Sequence, residues 1–187
     1  MSAVHISHLM MNDVIQHGDI VIDATAGNGH DTLFLSNCVG PNGIVIALDK
    51  QVEAINSTKR LLLQHDKLNV RYEVADHAIM ASLFQQYMKK VSCITFNLGY
   101  LPGSGDRSII THSESTIQAL HASVQLLKDQ GCISVIAYRG HDHGLDEASA
   151  VDEWMRTLSS GEWQVIHMVA INQSPNAPIV FFAQRKH

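Results

Sequence analysis

Short runs of Val and Ile alternate with longer periodic segments along most of the chain, and this alternation restricts the possible folds more than any other feature. A strand that is buried on both faces of a parallel sheet has such a run, because neither of its faces meets water. The runs predict strands at 19–23, 43–49, 70–75, 91–97 and 132–138.

The segments between these runs have the spacing of amphipathic helices. In the longest of them, Ile117, Leu120 and Val124 recur at intervals of three and four residues. Thr111 and Glu114 fit a capping box at its start. Repeated strand–helix units with right-handed connections predict an α/β fold with a doubly wound, mostly parallel sheet. The predicted helices are 32–39, 52–64, 78–88, 113–129 and 146–159.

The C-terminal part departs from this rhythm. Two further strands, at 163–171 and 179–184, are separated only by the turn-forming residues 172–178, so we expect them to pair as an antiparallel hairpin. A parallel sheet that ends in such a hairpin is uncommon in nicotinamide-binding Rossmann domains. It resembles the seven-stranded sheet of class I S-adenosylmethionine (SAM) methyltransferases. The length of 187 residues suits one such domain over residues 1–187.

Composition excludes several classes of protein. Lys and Arg number 13 against 18 Asp and Glu, and a net charge of −5 excludes a chain that grips nucleic acid by positive charge along its length. We find neither a signal peptide nor an apolar stretch near the ~20 residues of a membrane span, so we expect no membrane association and a cytoplasmic location. Cys38, Cys93 and Cys132 are expected to be free, buried thiols.

In doubly wound sheets, ligands bind beyond the carboxyl ends of the strands. In this chain, the loop after the first predicted strand is rich in polar residues. In residues 23–32, Gly27 and Gly29 permit a tight turn, and the following helix directs its free N–H groups toward the same space. Thr32 replaces the third glycine of a dinucleotide-binding motif. The polar side chains of this loop suit the amino-acid end of SAM better than a pyrophosphate; they belong to Asp23, Asn28 and Asp31.

Acidic residues also follow the second and third strands. Asp49 can accept hydrogen bonds from both hydroxyls of an adenosine ribose, although a helix N-cap would explain it as well. Asp76 can accept a hydrogen bond from the adenine amino group. NAD-binding folds have no comparable requirement at that strand end, so Asp76 favours SAM.

The fourth strand leads into a segment that suits methyl transfer to nitrogen. The carbonyl of Asn97 can orient the N–H of a nucleophile, and the ring of Tyr100 can lie against a sugar, a base or a cationic amine. The spacing is similar to the Asn/Asp-Pro-Pro-Tyr/Phe motif of amino-methyltransferases, with Leu98 and Gly99 in place of the prolines. An ordinary surface loop is the alternative.

Four segments together resemble the YtqB-like family of small bacterial methyltransferases, which were long labelled rRNA methylases. They are residues 23–32, 97–103, Gly140-His141 and 172–173. Members of the family methylate the exocyclic amine of 5-aminomethyl-2-thiouridine at the tRNA wobble position. The resemblance implies that reaction here, with SAM as donor, S-adenosylhomocysteine (SAH) as product, the tRNA anticodon loop as partner and no metal.

The strand-end pattern and the resemblance together give a donor set and an acceptor set of residues. The donor set is Asp23, Ala24, Gly27, Asn28, Gly29, Asp31, Thr32, Asp49, Gln51, Asp76 and His77. Three residues are predicted to be catalytic, namely Asn97, Tyr100 and His141. Five are predicted to bind the substrate, namely Pro102, Gly103, Arg107, Tyr138 and Arg139.

The chain has 12 histidines, and few of them receive a role. His141 and His143 are too few ligands for a metal, and His141 is instead expected to assist loss of a proton from the amine. The rest are expected to be solvated or on helix faces, including His5, His8, His65, His121 and His167. Because the chain is acidic, RNA contact would fall to Arg107 and Arg139, and a homodimer could widen that patch.

Three alternatives stay open. The same fold and donor site would serve methylation of rRNA or of a small-molecule amine. A nicotinamide-dependent oxidoreductase is disfavoured by Thr32, by Asp76 and by the terminal hairpin. A SAM- or nucleotide-binding regulator would need no acceptor segment such as 97–103.

Overall fold

A single sheet forms the centre of the structure, which is a computed structural model that describes residues 1–99, 113–140 and 143–187. Within these residues the strands are β1 (Ile20–Asp23), β2 (Ile44–Asp49), β3 (Val70–Val74), β4 (Val91–Leu98), β5 (Leu127–Ala137), β6 (Trp163–Met168) and β7 (Ile179–Arg185). Their order is β3-β2-β1-β4-β5-β7-β6. The first five strands run parallel, whereas β7 is antiparallel to both β5 and β6. The predicted sheet and its C-terminal hairpin are therefore confirmed.

Helices cover both faces of the sheet. They are α1 (Ala3–Val14), α2 (His30–Val39), α3 (Val52–Gln64), α4 (Met80–Leu83), α5 (Ser113–Leu126) and α6 (Gly144–Thr157). On one face, Met11 of α1 and Leu35 of α2 pack against strand residues such as Val45. On the other face, Phe96 of β4 lies in a larger apolar cluster to which α4, α5 and α6 contribute. In the parts of the chain that the structure describes, no helix is long and apolar enough to cross a membrane.

The structure corrects the predicted helix at 78–88. This segment consists of a 3₁₀ turn at His77–Ile79, the four-residue helix α4 and a second 3₁₀ turn at Gln85–Tyr87. The apolar residues Met80, Phe84 and Tyr87 have helical spacing and are all buried. The backbone nevertheless closes with hydrogen bonds between residues three apart, such as Tyr87 N to Phe84 O at 2.8 Å. The segment therefore buries one apolar side, as an amphipathic helix would, but the prediction of a continuous helix over 78–88 was wrong.

Other differences lie at the edges of the sheet and at the ends of elements. β3 is an edge strand, so Arg71, Glu73 and Val74 are exposed instead of buried on both faces as predicted. α5 ends at Leu126 because Leu127 already pairs with Val91 of β4. β6 ends at residue 168 rather than 171. Thr111, the proposed capping residue, lies outside the described residues.

The order of the strands reverses between β1 and β4, and this point determines where a ligand can bind. The chain passes from β1 to β2 on one side and reaches β4 on the other, so a crevice opens between the loops that follow β1 and β4. Asp23 pairs with Thr95, which brings the end of β1 next to the end of β4. The residues after both strands therefore meet at one edge.

The N-terminal helix α1 was not predicted, and a buried hydrogen bond attaches it to the sheet. The Ser2 hydroxyl accepts a hydrogen bond from the His5 N–H at 3.2 Å and begins the helix. Further along, the hydroxyls of Ser7 and of Ser134 on β5 lie 2.8 Å apart, and both residues are buried. The helix is thus fixed to the sheet by a specific polar contact as well as by Met11.

A double-mutant cycle tests this contact. We expect Ser7→Ala and Ser134→Ala each to lower the free energy of unfolding by about 1 to 2 kcal/mol, because each leaves a buried hydroxyl without its partner. The double variant should lose clearly less than the sum, as measured by urea denaturation. Ser149→Ala, at an exposed position of α6, is the control that should change little. Additive losses would show that the two hydroxyls do not interact.

Candidate active site

Backbone hydrogen bonds hold the loop after β1 on both sides. Ala24 N donates to Thr95 O of β4 at 2.9 Å, and Ala26 N donates to Leu48 O of β2 at 3.0 Å. The loop is therefore stretched across the crevice between these two strands. Its glycines turn the chain toward α2.

Gly27 and Gly29 both have left-handed backbone conformations, with φ of 54° and 87°. A Cβ atom at position 29 would also lie only 2.8 Å from Thr58 Cα of α3. The Thr58 hydroxyl donates to Gly27 O at 3.0 Å. The close approach that requires a glycine at position 29 is therefore packing between the start of α2 and α3. It brings the loop into place from the side opposite β4.

Asp49, at the end of β2, accepts two backbone hydrogen bonds. Its Oδ2 accepts from Gly27 N at 3.0 Å, and its Oδ1 accepts from Gln51 N at 2.9 Å. The N-cap residue of α3 is Gln51, so Asp49 orients the glycine loop instead of capping that helix. Each carboxylate oxygen retains a lone pair, so hydroxyl groups of a ribose can still be accepted.

Asp23 lies beneath the loop and is fully buried. Its Oδ2 accepts a hydrogen bond from the Thr32 hydroxyl at 2.6 Å, and its Oδ1 accepts one from Thr25 N at 3.3 Å. Burial, together with the negative charge of Asp31, raises the pKa of Asp23 to about 7. In this position the carboxylate supports the loop from below.

Asp31, in the first turn of α2, connects the loop to β4 and to α1. Its Oδ2 accepts a hydrogen bond from Asn97 Nδ2 at 3.1 Å. Its Oδ1 lies 2.7 Å from His8 Nε2, and the His8 ring stacks on Phe34 with centroids 3.8 Å apart. His8 lies on a helix face, as predicted, but its contacts with Asp31 and Phe34 were not anticipated. The spacing of three residues between His8 and Met11 places His8 beside the buried side of α1, but that spacing does not identify its partner.

Asn97 is fixed at both its backbone and its side chain. Its backbone N–H donates to the Thr25 hydroxyl at 2.7 Å. Because its side-chain nitrogen donates to Asp31, the carbonyl oxygen Oδ1 is turned away from that carboxylate. The amide is thus oriented to accept a hydrogen bond from another group at the crevice.

Asp76 and His77 follow β3 and close the far end of the crevice. Asp76 accepts a hydrogen bond from Ala78 N at 2.9 Å and begins the 3₁₀ turn. His77 is buried edge-on against Phe96, and burial lowers the pKa of its imidazole. The Ala24 backbone accepts a hydrogen bond from this ring, whereas its buried Nε2 has no hydrogen-bond partner among the described residues. A neutral ring with that arrangement offers Nε2 as an acceptor.

The structure describes only some of the residues that are predicted to be catalytic or to bind the substrate. Tyr138 is partly exposed at the end of β5, and burial together with the charge of Asp31 raises the pKa of its phenol. Arg139 Nε donates to Ala177 O at 2.8 Å, which ties this strand end to the turn between β6 and β7. The other residues of this set lie outside the described residues; they are Tyr100, Pro102, Gly103, Arg107 and His141.

The described residues fit SAM as a ligand. The unpartnered Nε2 of His77 can accept a hydrogen bond from an amino group such as that of adenine, and Asp49 can accept from ribose hydroxyls. The carboxylates around the loop match the positive charge of a sulfonium and an ammonium. Across residues 1–99, 113–140 and 143–187, no group of three or more His, Cys, Asp or Glu side chains could hold a metal ion.

The strand order, with its antiparallel C-terminal hairpin, is that of a class I SAM-dependent methyltransferase. Residues 45–184 match the family model described as "Putative rRNA methylase", and the chain belongs to this family. Residues 1–83 also match the model described as "Protein-L-isoaspartate(D-aspartate) O-methyltransferase". The family resemblance found in the sequence and the assignment of SAM as cofactor are thereby confirmed.

Individual relatives agree with this assignment. An Arabidopsis thaliana protein named "tRNA (mnm(5)s(2)U34)-methyltransferase, chloroplastic" is 39% identical over 189 residues, which cover 96% of this chain and 68% of the relative. A solved structure from Clostridium thermocellum, described as "putative rRNA-methylase", is 36% identical, with a TM-score of 0.92 over 99% of this chain and 98% of that one. A Streptococcus mutans structure, described as "a putative methyltransferase" and solved in complex with SAH, is 27% identical, with a TM-score of 0.86 and the same coverage.

The raised pKa of Asp23 predicts that SAM binding depends on pH. The net positive charge of SAM favours ionised Asp23, so binding releases a proton when this group starts protonated. We therefore expect SAM affinity to rise about three- to tenfold between about pH 6 and about pH 7.5. Calorimetry at each pH measures this change.

Asp23→Asn provides the comparison, because the amide cannot titrate in this range. This variant should bind SAM with little dependence on pH over the same interval, and the control Asp13→Asn, at an exposed site, should behave like the wild type. An equal rise in affinity for Asp23→Asn and the wild type would contradict the assignment of the pH dependence to Asp23.

Proposed function

We propose that the protein transfers the methyl group of SAM to the exocyclic amine of 5-aminomethyl-(2-thio)uridine at the wobble position of tRNA. The observation that carries this proposal is the amide of Asn97, whose nitrogen Asp31 holds beside the loop after β1, so that its carbonyl oxygen is turned away from that carboxylate. The name of the Arabidopsis relative supports the choice of substrate. We propose one catalytic domain over residues 1–187, acting in the cytoplasm.

On the donor side, the described residues suit three parts of SAM. When bound, SAM supplies an electrophilic methyl group on a positively charged sulfur. Asp49 would accept the ribose hydroxyls and Gln51 would contact the same end, while Asp76 and His77 would contact the adenine. Asn28 and Asp31 would bind the amino-acid end. The loop itself is supported by Asp23, Ala24, Gly27, Gly29 and Thr32.

On the acceptor side, Asn97 would align the nucleophile. Its Oδ1 would accept an N–H of the neutral amine, so that the nitrogen lone pair points along the line of methyl transfer. As the nitrogen becomes positively charged, the nearby carboxylate of Asp31 stabilises that charge. Tyr100 would lie against the substrate, and His141 would assist loss of the proton that the methylated amine must release.

RNA contact would come from a small number of residues at the rim of the crevice. Tyr138 and Arg139 follow β5 at this rim, and Pro102, Gly103 and Arg107 are proposed to contact the nucleotide with them. Since the net charge is −5, the anticodon loop would be held by a local patch, which a homodimer would extend.

Methylation in vitro tests the substrate. The purified protein is incubated with SAM and with tRNA carrying 5-aminomethyl-2-thiouridine, and the nucleosides are analysed by mass spectrometry. We expect conversion to the 5-methylaminomethyl nucleoside. Undermethylated rRNA is tested in a parallel reaction as the competing substrate, because the matching family is described as an rRNA methylase family. Methylation of rRNA without methylation of the tRNA would overturn the proposal.

Asn97→Ala tests the acceptor geometry. We expect methylation to fall at least about tenfold with SAM binding retained, because the amine loses its orienting group while the donor contacts remain. Single-turnover methylation and calorimetry measure the two effects separately. Asn56→Ala, at an exposed position of α3, should leave both unchanged. An unaltered methylation rate in Asn97→Ala would refute its role.

A further inference from the structure

Three side chains from three different elements form a continuous chain of hydrogen bonds at the acceptor side of the crevice. His8 Nε2 of α1 lies 2.7 Å from Asp31 Oδ1 of α2, and Asn97 Nδ2 of β4 lies 3.1 Å from Asp31 Oδ2. Asn97 is the residue to which the proposed function assigns the acceptor. His8 lies on α1, which precedes the first strand and so does not follow any strand end.

The direction of the hydrogen bonds is fixed by the carboxylate in the middle. An ionised carboxylate can only accept, so both His8 Nε2 and Asn97 Nδ2 donate to Asp31. With one oxygen held on each side, the carboxylate cannot rotate without breaking a charge-assisted hydrogen bond. The Asn97 amide is then kept in the orientation that presents its carbonyl oxygen to the acceptor.

His8 is itself held in place. Its ring stacks on Phe34 with an angle of 3° between the planes, and only 23% of its side chain is exposed. The helix that carries it is attached to the sheet by the hydrogen bond between Ser7 and Ser134. A histidine serving only to fill space would not need its Nε2 directed at a carboxylate of the active site.

Without His8, Oδ1 of Asp31 would lose the partner that it has among residues 1–99, 113–140 and 143–187. The carboxylate could then turn toward water, and the Asn97 amide could flip and present its nitrogen, a donor, to the amine. A donor at this point cannot accept the N–H that orients the nucleophile. Small errors of orientation of this kind can reduce rates by about two orders of magnitude.

We propose that His8 is a positioning residue for methyl transfer, which acts through Asp31 to fix the amide of Asn97. The proposal rests on the proposed function, because it assumes an amine acceptor at Asn97. His8 is not assigned any contact with SAM or with the substrate.

Kinetics of variants test the proposal. We expect His8→Ala to lower kcat for tRNA methylation about tenfold or more, while KM for tRNA and the affinity for SAM change less than about threefold. His8→Gln, whose side-chain amide can also donate to Asp31, should recover most of the lost kcat. His5→Ala, at an exposed position of the same helix, is the matched control. An unchanged kcat in His8→Ala, or a loss of SAM affinity that equals the loss of kcat, would overturn the proposal.

A second measurement does not depend on activity. Hydrogen exchange of the Asn97 side-chain amide is followed by NMR, with its resonances assigned by their absence in Asn97→Ala. We expect slow exchange in the wild type, in His5→Ala and in His8→Gln, and exchange at least about tenfold faster in His8→Ala. Equal exchange in the wild type and His8→Ala would overturn the proposal. A wild-type protein that leaves tRNA unmethylated would instead contradict the proposed function, and the exchange measurement would still decide the role of His8.

Discussion

The active site is organised around negative charge gathered at one loop. Asp23, Asp31 and Asp49 lie at or beside the turn after β1, and each carboxylate is held by two hydrogen-bond donors. Their proximity in a buried setting has a cost, which is visible in the raised pKa of Asp23. In the folded chain Asp23 keeps its proton up to about pH 7, whereas in the unfolded chain it loses the proton near pH 3.8. The contribution of Asp23 to the free energy of unfolding therefore falls as the pH rises between these two values. A cationic ligand offsets this repulsion.

Much of the fold could be predicted because local sequence determines it. The run at Ile44–Asp49 is short, rich in β-branched residues and almost wholly apolar, which favours a strand that is buried on both faces. The turn residues at 172–178 leave no length for a helix, so the antiparallel pairing of β6 and β7 followed directly. The acidic strand ends at Asp49 and Asp76 could be found in the same way, because their position depends only on where each strand stops.

Other features depend on partners that are distant in sequence. His8 meets Asp31 only because α1 crosses the sheet beside α2, a contact that no local pattern encodes. β3 is partly exposed because it lies at the edge of the sheet. The sequence of the strand alone does not show which strands lie beside it. The requirement for glycine at position 29 also arises from Thr58 of α3, in addition to the local turn. The sequence therefore predicts the strand ends that border the crevice, whereas the contacts that support them required the three-dimensional structure.

The acidity of the chain is consistent with an RNA substrate once the location of the charges is considered. Asp23 is fully buried and Asp31 nearly so, so these carboxylates lie beneath the loop and not on the surface that RNA would approach. In the proposed reaction the positive charge moves from the sulfur of SAM to the nitrogen of the amine, and Asp31 lies beside the residue that receives that nitrogen. A carboxylate fixed at this point stabilises positive charge before and after transfer. His8 holds the other oxygen of the same carboxylate, which keeps Asp31 fixed beside Asn97.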